Sequence, residues 1–317
     1  MSGPGERLRS RLGSRFAVMS RRSRVLSAAI ALVVALAVGT AAVAAASGGG
    51  REPGQSHQAS PAAGHSSPAG RPDPAGAAGH ASQAGPAGRT GDAAHTGPAQ
   101  DRLGPVVLVP GYGGGTGSLE VLAGQIRASG RKAIVLRLPG TGTGSLVADA
   151  ALLNAAVNRA LRSGAPSVDV IGYSAGGVAA LLWARLDDGA AKARRVITLG
   201  SPFHGTQLAA AAQALLPRDC PAACQQLVPG SSLLAGLDNA GPAGLPPWLS
   251  LWSSDDQVVT PPISARLAGA VDVPVQSICP ALTVSHTQLP ANPAVVSMVL
   301  AAIGRAPLAR PTAAACG

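Results

Sequence analysis

Ser174 stands between two glycines in Gly172-Tyr173-Ser174-Ala175-Gly176, the stretch of this chain best suited to covalent chemistry. Val168-Asp169-Val170-Ile171 before it reads as a short strand buried on both faces, and Gly177-Val178-Ala179-Ala180-Leu181-Leu182-Trp183 after it reads as a helix. A G-x-S-x-G between strand and helix is a sharp turn that only small neighbours permit, and it lifts the serine hydroxyl above the sheet. In a chain with 41 glycines the motif alone is weak, and an ordinary serine in a glycine turn is the bland alternative. The strand on one side and the helix on the other carry the reading.

A serine hydroxyl becomes a nucleophile only when a base takes its proton, and the base needs an acid to orient it. From residue 102 onward the chain holds two histidines, His204 and His286. On this kind of turn the order along the chain is nucleophile, acid, base. His286 fits that order as the base. His204, in Gly200-Ser201-Pro202-Phe203-His204-Gly205-Thr206, comes too early and is expected to pack near the site or shape access to it. Ser253-Ser254-Asp255-Asp256-Gln257-Val258-Val259 offers two carboxylates, which cannot both aim at one imidazole. Asp256 is preferred because it heads Asp-x-Val-Val, whose valines return to the core; Asp255 is the alternative, otherwise a loop carboxylate or turn cap.

Acyl chemistry also needs two N–H donors for the developing oxyanion. Ala175, which follows the serine, supplies one. Tyr112, in Pro110-Gly111-Tyr112-Gly113-Gly114-Gly115, is the preferred second donor, with glycines that let the backbone approach closely. As a phosphate loop this glycine run fails, because no Lys-Ser/Thr follows it.

The elements that must hold these residues alternate. Strands are predicted at Val106–Val109, Ala133–Leu138, Val168–Ile171, Val196–Leu199, Trp248–Trp252 and Val273–Ile278. Helices are predicted at Leu119–Ser129, Leu146–Arg162 and Pro293–Ile303. Alternation of this kind means an α/β fold with a mostly parallel sheet and helices on both faces, with sites at the carboxyl ends of strands. Each residue singled out above follows a strand.

Composition divides the chain further. Residues 1–24 hold seven arginines against Glu6, so most of the net charge of +10 sits in a leader. Residues 25–46 are uncharged and rich in Ala, Val and Leu, with Ala44-x-Ala46 as a cleavage site. Residues 1–46 therefore read as an export signal, with an uncleaved membrane anchor as the alternative, since a run of about 20 apolar residues can cross a bilayer. Residues 47–101, mostly Gly, Pro, Ala, Ser and His, read as a disordered linker. Their histidines, His57, His65, His80 and His95, follow no metal-ligand spacing. Residues 102–317 are long enough for one α/β domain. With 2% aromatic residues and most of its net charge in a leader, the chain is not read as a nucleic-acid binder.

The four cysteines, Cys220, Cys224, Cys279 and Cys316, all fall in that domain, and export would place them in an oxidising compartment. Three pairings are possible; Cys220 with Cys224 and Cys279 with Cys316 is preferred, and a structural zinc is the alternative.

Val-Leu-Val-Pro-Gly-Tyr, Gly-Tyr-Ser-Ala-Gly-Gly, Thr-Leu-Gly-Ser-Pro-Phe-His-Gly-Thr, Ser-Ser-Asp-Asp-Gln-Val-Val and Ser-His-Thr together resemble a secreted bacterial, actinobacterial-type triacylglycerol lipase or esterase of the α/β-hydrolase superfamily. The resemblance covers most of residues 104–303 and implies Ser174 as nucleophile, Asp256 as acid, His286 as base, and Tyr112 and Ala175 as oxyanion donors. It also implies hydrolysis of lipid or acyl esters through an acyl-serine, without a cofactor or metal. Acyl transfer on the same triad, or a non-catalytic binding domain displayed through the linker, are the alternatives. One departure is Pro110, where many such lipases carry histidine. Residues 207–247, rich in leucine, are expected either to cap the site or simply to pack helices on the sheet. A monomer, secreted or anchored to the outer face of the membrane through residues 25–46, completes the expectation.

Overall fold

The computed structural model describes residues 102–317; the leader, the apolar run of residues 25–46 and the linker of residues 47–101 lie outside the described residues. Six parallel strands form one sheet in the order β2-β1-β3-β4-β5-β6. They are β1 (Val106–Val109), β2 (Ala133–Val135), β3 (Val168–Tyr173), β4 (Ala193–Leu199), β5 (Trp248–Trp252) and β6 (Val271–Pro274). The helices are α1 (Gly117–Ala128), α2 (Leu146–Arg162), α3 (Ala175–Leu186), a single turn α4 (Gly189–Lys192), α5 (Gln207–Leu215), α6 (Ala222–Gln226), α7 (Ser232–Asn239) and α8 (Pro293–Ala302).

Successive strand residues point to opposite faces, so each strand feeds two cores. Val106 and Leu108 of β1 join Leu119, Leu122 and Ile126 of α1 and Val295 and Val299 of α8. Val107 and Val109 join Leu153 and Val157 of α2 and Val178 and Leu182 of α3 on the other face. This explains why β1 reads as an unbroken apolar run and why β3 and β4 are buried almost throughout, the charged Asp169, Arg194 and Arg195 included.

Two predicted strands are shorter than expected. β2 ends at Val135 rather than Leu138, although Leu136 N–H still donates to Leu108 O at 2.9 Å. The last strand runs Val271–Pro274, not Val273–Ile278, and a 3₁₀ turn follows over Val275–Ser277. Pro274 has no N–H to extend a ladder, so an edge strand is free to stop there. Val275 is buried in the core cluster that includes α8, and Ile278 packs against it, without sheet pairing.

The segment expected over residues 207–247 forms α5, α6 and α7. Thr206 anchors its start: its hydroxyl donates to Val258 O at 2.6 Å and accepts from Leu208 N and Thr260 N. Gln226 fastens α6 to the start of α2, accepting from Leu146 N at 2.8 Å and donating to Ser145 Oγ at 3.1 Å. Disulfides join Cys220 to Cys224 beside α6 and Cys279 to Cys316 near the C-terminus. Among the described residues no helix is long and apolar enough to cross a membrane.

Candidate active site

β3 hands the chain to α3 through Ser174, whose φ of 52° and ψ of −127° are rare for a residue with a side chain. Such strain persists only where the surroundings fix it. A Cβ on Gly172 would lie 2.5 Å from Gly177 Cα, and one on Gly176 would lie 2.3 Å from Val109 O. Both contacts are closer than a Cβ tolerates, so this crossing of strand and helix admits only glycine. Ala175, the first residue of α3, is buried and directly follows the serine. Its N–H belongs to the opening turn, whose donors have no partner inside the helix and carry the positive end of the helix dipole.

The loop after β1 lies against the same turn: a Cβ on Gly111 would stand 2.9 Å from Ser174 Cβ. Tyr112 follows, 40% exposed and lining a cavity, and partial burial raises its phenol pKa.

Asp256 and His286 arrive from the loops after β5 and β6. Asp256 Oδ2 meets His286 Nδ1 at 2.6 Å, with Asp256 5% and His286 4% exposed. Asp256 Oδ1 accepts from Val258 N at 2.9 Å and Val259 N at 2.8 Å. Those two amides explain the Asp-x-Val-Val pattern: they fix one carboxylate oxygen and leave the other for the imidazole. Asp255 turns elsewhere, accepting from Gln276 Nε2 at 3.0 Å and from Val284 N at 3.3 Å. It braces the loop that carries His286 and does not touch the ring's Asp256 contact.

His204 takes no part in this cluster. Its Nδ1 lies 2.9 Å from Asp238 Oδ1 of α7, with both side chains about half exposed. Among the described residues no group of three or more His, Cys, Asp or Glu is placed to hold a metal.

Ser174 and His286 line one cavity of about 350 Å³, together with Gly111, Tyr112 and Tyr173. Its far wall is α5 together with Leu216, the residue that ends that helix. Leu208, Ala211, Ala212 and Leu215 recur at helical spacing along it, and Leu227, Val258 and Val259 close the sides. The α5 wall is apolar, and the polar side chains that line the cavity include Ser174, His286, Tyr112, Tyr173 and Thr206. The cavity offers apolar surface beside Ser174 and His286. The structure brings the sequence candidates Ser174, His286 and Tyr112 to one cavity, while Tyr173 and Thr206 were missed, because the motifs contained them without any sign of their contacts.

No protein-family model matches this chain, and no curated protein matches it in sequence. Solved structures do. Lipase B of Aspergillus fumigatus superposes with a TM-score of 0.54 at 21% identity, over 65% of this chain and 54% of that one. The chain thus spans about half the length of that lipase. A Bacillus licheniformis lipase in its mature form gives a TM-score of 0.47 at 18% identity, over 62% of this chain and 89% of that one. An α/β hydrolase from a lagoon-sediment metagenome gives 0.44 at 16% identity, over 63% and 90%. The parallel six-stranded sheet, the strained serine turn and the first of these likenesses define the class: the chain has the α/β-hydrolase fold.

Proposed function

We propose that this protein is a serine carboxylic-ester hydrolase of the lipase type, as the exported bacterial lipases it resembles are. One observation carries the reading: a buried His286–Asp256 pair, 2.6 Å apart, opens on the same apolar cavity as a serine held at positive φ. Asp256 holds Nδ1 and so fixes the tautomer that presents Nε2 as base. Ser174 Oγ bonds to the ester carbonyl carbon while Nε2 takes its proton. The carbonyl oxygen becomes an oxyanion, received by the N–H groups of Tyr112 and Ala175. The C–O bond to the alcohol then breaks, and the alcohol leaves with the proton from His286. Water attacks the acyl-serine by the same route, releasing the acid and restoring Ser174.

The acyl part enters the cavity beneath α5. At about 350 Å³ the cavity accommodates an acyl chain of moderate length. Each methylene buried there contributes about 0.8 kcal/mol. Esters of medium-length acids are therefore the proposed substrates. Two disulfides in a small domain fit work outside the cytoplasm, as the leader of residues 1–46 proposes.

The test is labelling with a fluorophosphonate, followed by a p-nitrophenyl ester series. Wild-type protein should label at Ser174 and hydrolyse medium-chain esters best, whereas Ser174→Ala should do neither. Absent labelling, or labelling unchanged in Ser174→Ala, would remove the hydrolase reading.

A further inference from the structure

Tyr173 ends β3, directly before Ser174, and is half-buried against the same cavity. Its ring lies against the His286 ring, with centroids 5.2 Å apart and planes tilted by 33°. Its phenol O–H donates to the backbone carbonyl of His286 at 3.3 Å. Burial, reinforced by the charge of Asp256, raises the phenol pKa above its ordinary value of 10.0, so the hydroxyl keeps its proton and remains a donor throughout the neutral range.

The other hydrogen bonds that hold the His286 segment come from its own loop or from the β5 side, and Gly200, directly after β4, packs against the ring, where a Cβ would stand 3.1 Å from Nδ1. Asp256 holds Nδ1, Asp255 accepts from Val284 N, and Ser253 Oγ donates to Val284 O at 2.5 Å. Ser285 and Gln288 close a capping box around the turn. These contacts fix the imidazole relative to the acid. They do not by themselves fix it relative to the nucleophile, which belongs to another strand. Tyr173 makes the direct side-chain connection, through a residue bonded to Ser174, whose backbone is pinned by the glycine crossing behind it.

We infer that Tyr173 is a positioning residue that sets the distance between nucleophile and base by gripping His286 with its ring and its hydroxyl. The inference rests on reading His286 as the base of ester hydrolysis. The ring makes the larger contribution, because it opposes lateral movement of the imidazole. The hydroxyl, through a long hydrogen bond, restrains the backbone of the turn. A displacement of about 1 Å at such a site is enough to slow the chemistry on the order of 100-fold, while a single neutral hydrogen bond accounts for a factor of roughly 3–10.

The test compares full-length wild-type protein with Tyr173→Phe and Tyr173→Leu, with rates expressed per fluorophosphonate-titrated site so that any misfolded fraction drops out. Tyr173→Phe keeps the ring and should lower kcat roughly 3-fold. Tyr173→Leu keeps bulk alone and should lower kcat on the order of 100-fold. KM should stay within about 2-fold in both, because uniform binding of the ester is untouched. In proton NMR, the low-field resonance of the His286 proton shared with Asp256 should persist in Tyr173→Phe and be shifted or broadened in Tyr173→Leu. Equal kcat per site in all three proteins, or a change confined to KM or to melting temperature, would overturn the inference. A wild-type protein that Ser174→Ala shows to be unlabelled would instead remove the hydrolase reading, and the NMR comparison would still report on the grip.

Discussion

Asp255 and Asp256 are adjacent, and yet their surroundings assign them different tasks. Asp256 is buried, takes two backbone amides on one oxygen and the imidazole on the other. Asp255 is exposed and braces the base's loop through Val284 N and Gln276. Asp256→Asn should therefore lower kcat on the order of 10³–10⁴-fold by favouring the wrong tautomer of His286. Asp255→Asn should lower it less than about 10-fold, and steady-state kinetics on one p-nitrophenyl ester separates the two. Asp149 shows a different contest. It lies in the first turn of α2, where the helix dipole favours negative charge, but burial wins and raises its pKa to about 6. A carboxyl with a raised folded pKa supports the fold while protonated and loses that support as pH climbs through its folded pKa. Asp149→Asn should then raise the melting temperature at pH 8 relative to wild type and make little difference near pH 4. Thermal melts across that range check the sign.

At the scale of elements, the site is an agreement among loops at one end of the sheet. β1 brings Tyr112, β3 brings Ser174 and β5 brings Asp256, each just beyond its strand, while β6 leads through a 3₁₀ turn and a longer loop to His286. Parallel strands make this possible because all their carboxyl ends share a side. The apolar wall comes from α5, whose small residues keep the cavity open. Ala212 lies on that wall. Ala212→Phe should fill much of the space, reducing hydrolysis of long-chain p-nitrophenyl esters about 10-fold or more while sparing the acetate and butyrate. An unchanged chain-length profile would mean that the acyl chain lies elsewhere. The leucines of residues 207–247 suited capping and packing equally well when read in sequence. They prove to divide: Leu208, Leu215 and Leu216 line the cavity, while Leu234 and Leu237 are buried in the core beneath. The helical period shows that a helix has two faces, but it does not say what each face will meet.

For the molecule as a whole, the C-terminus is fastened twice. Cys279–Cys316 closes a loop of sequence separation 37, and Arg194 and Arg195 donate to carbonyls at the end of α8. Removing the bridge by Cys279→Ser with Cys316→Ser should destabilise the fold by about 3–4 kcal/mol on the loop-entropy model. The melting temperature should fall while kcat well below it stays unchanged, since both cysteines lie outside the cavity. The second fastening surrounds Asp169, a carboxylate with no exposure in the middle of a buried sheet, bonded to Arg131 and to the fully buried Arg194. In sequence, Val168-Asp169-Val170-Ile171 was legible as a strand because its neighbours are β-branched and apolar. That a charge within it could be buried was not legible, because its partners stand on a loop and on another strand. The same division holds for the site. Small residues around Ser174 have one steric explanation, and the order of serine, aspartate and histidine follows the order of the strands, so local pattern by itself determined the elbow and pointed to three candidate residues. Which oxygen of Asp256 faces the imidazole, what Asp255 holds, how Tyr173 reaches His286 and how wide the cavity stands were decided only by tertiary structure. Each of these is a distance between residues far apart along the chain, and spacing in sequence carries no information about such distances until the sheet has assembled.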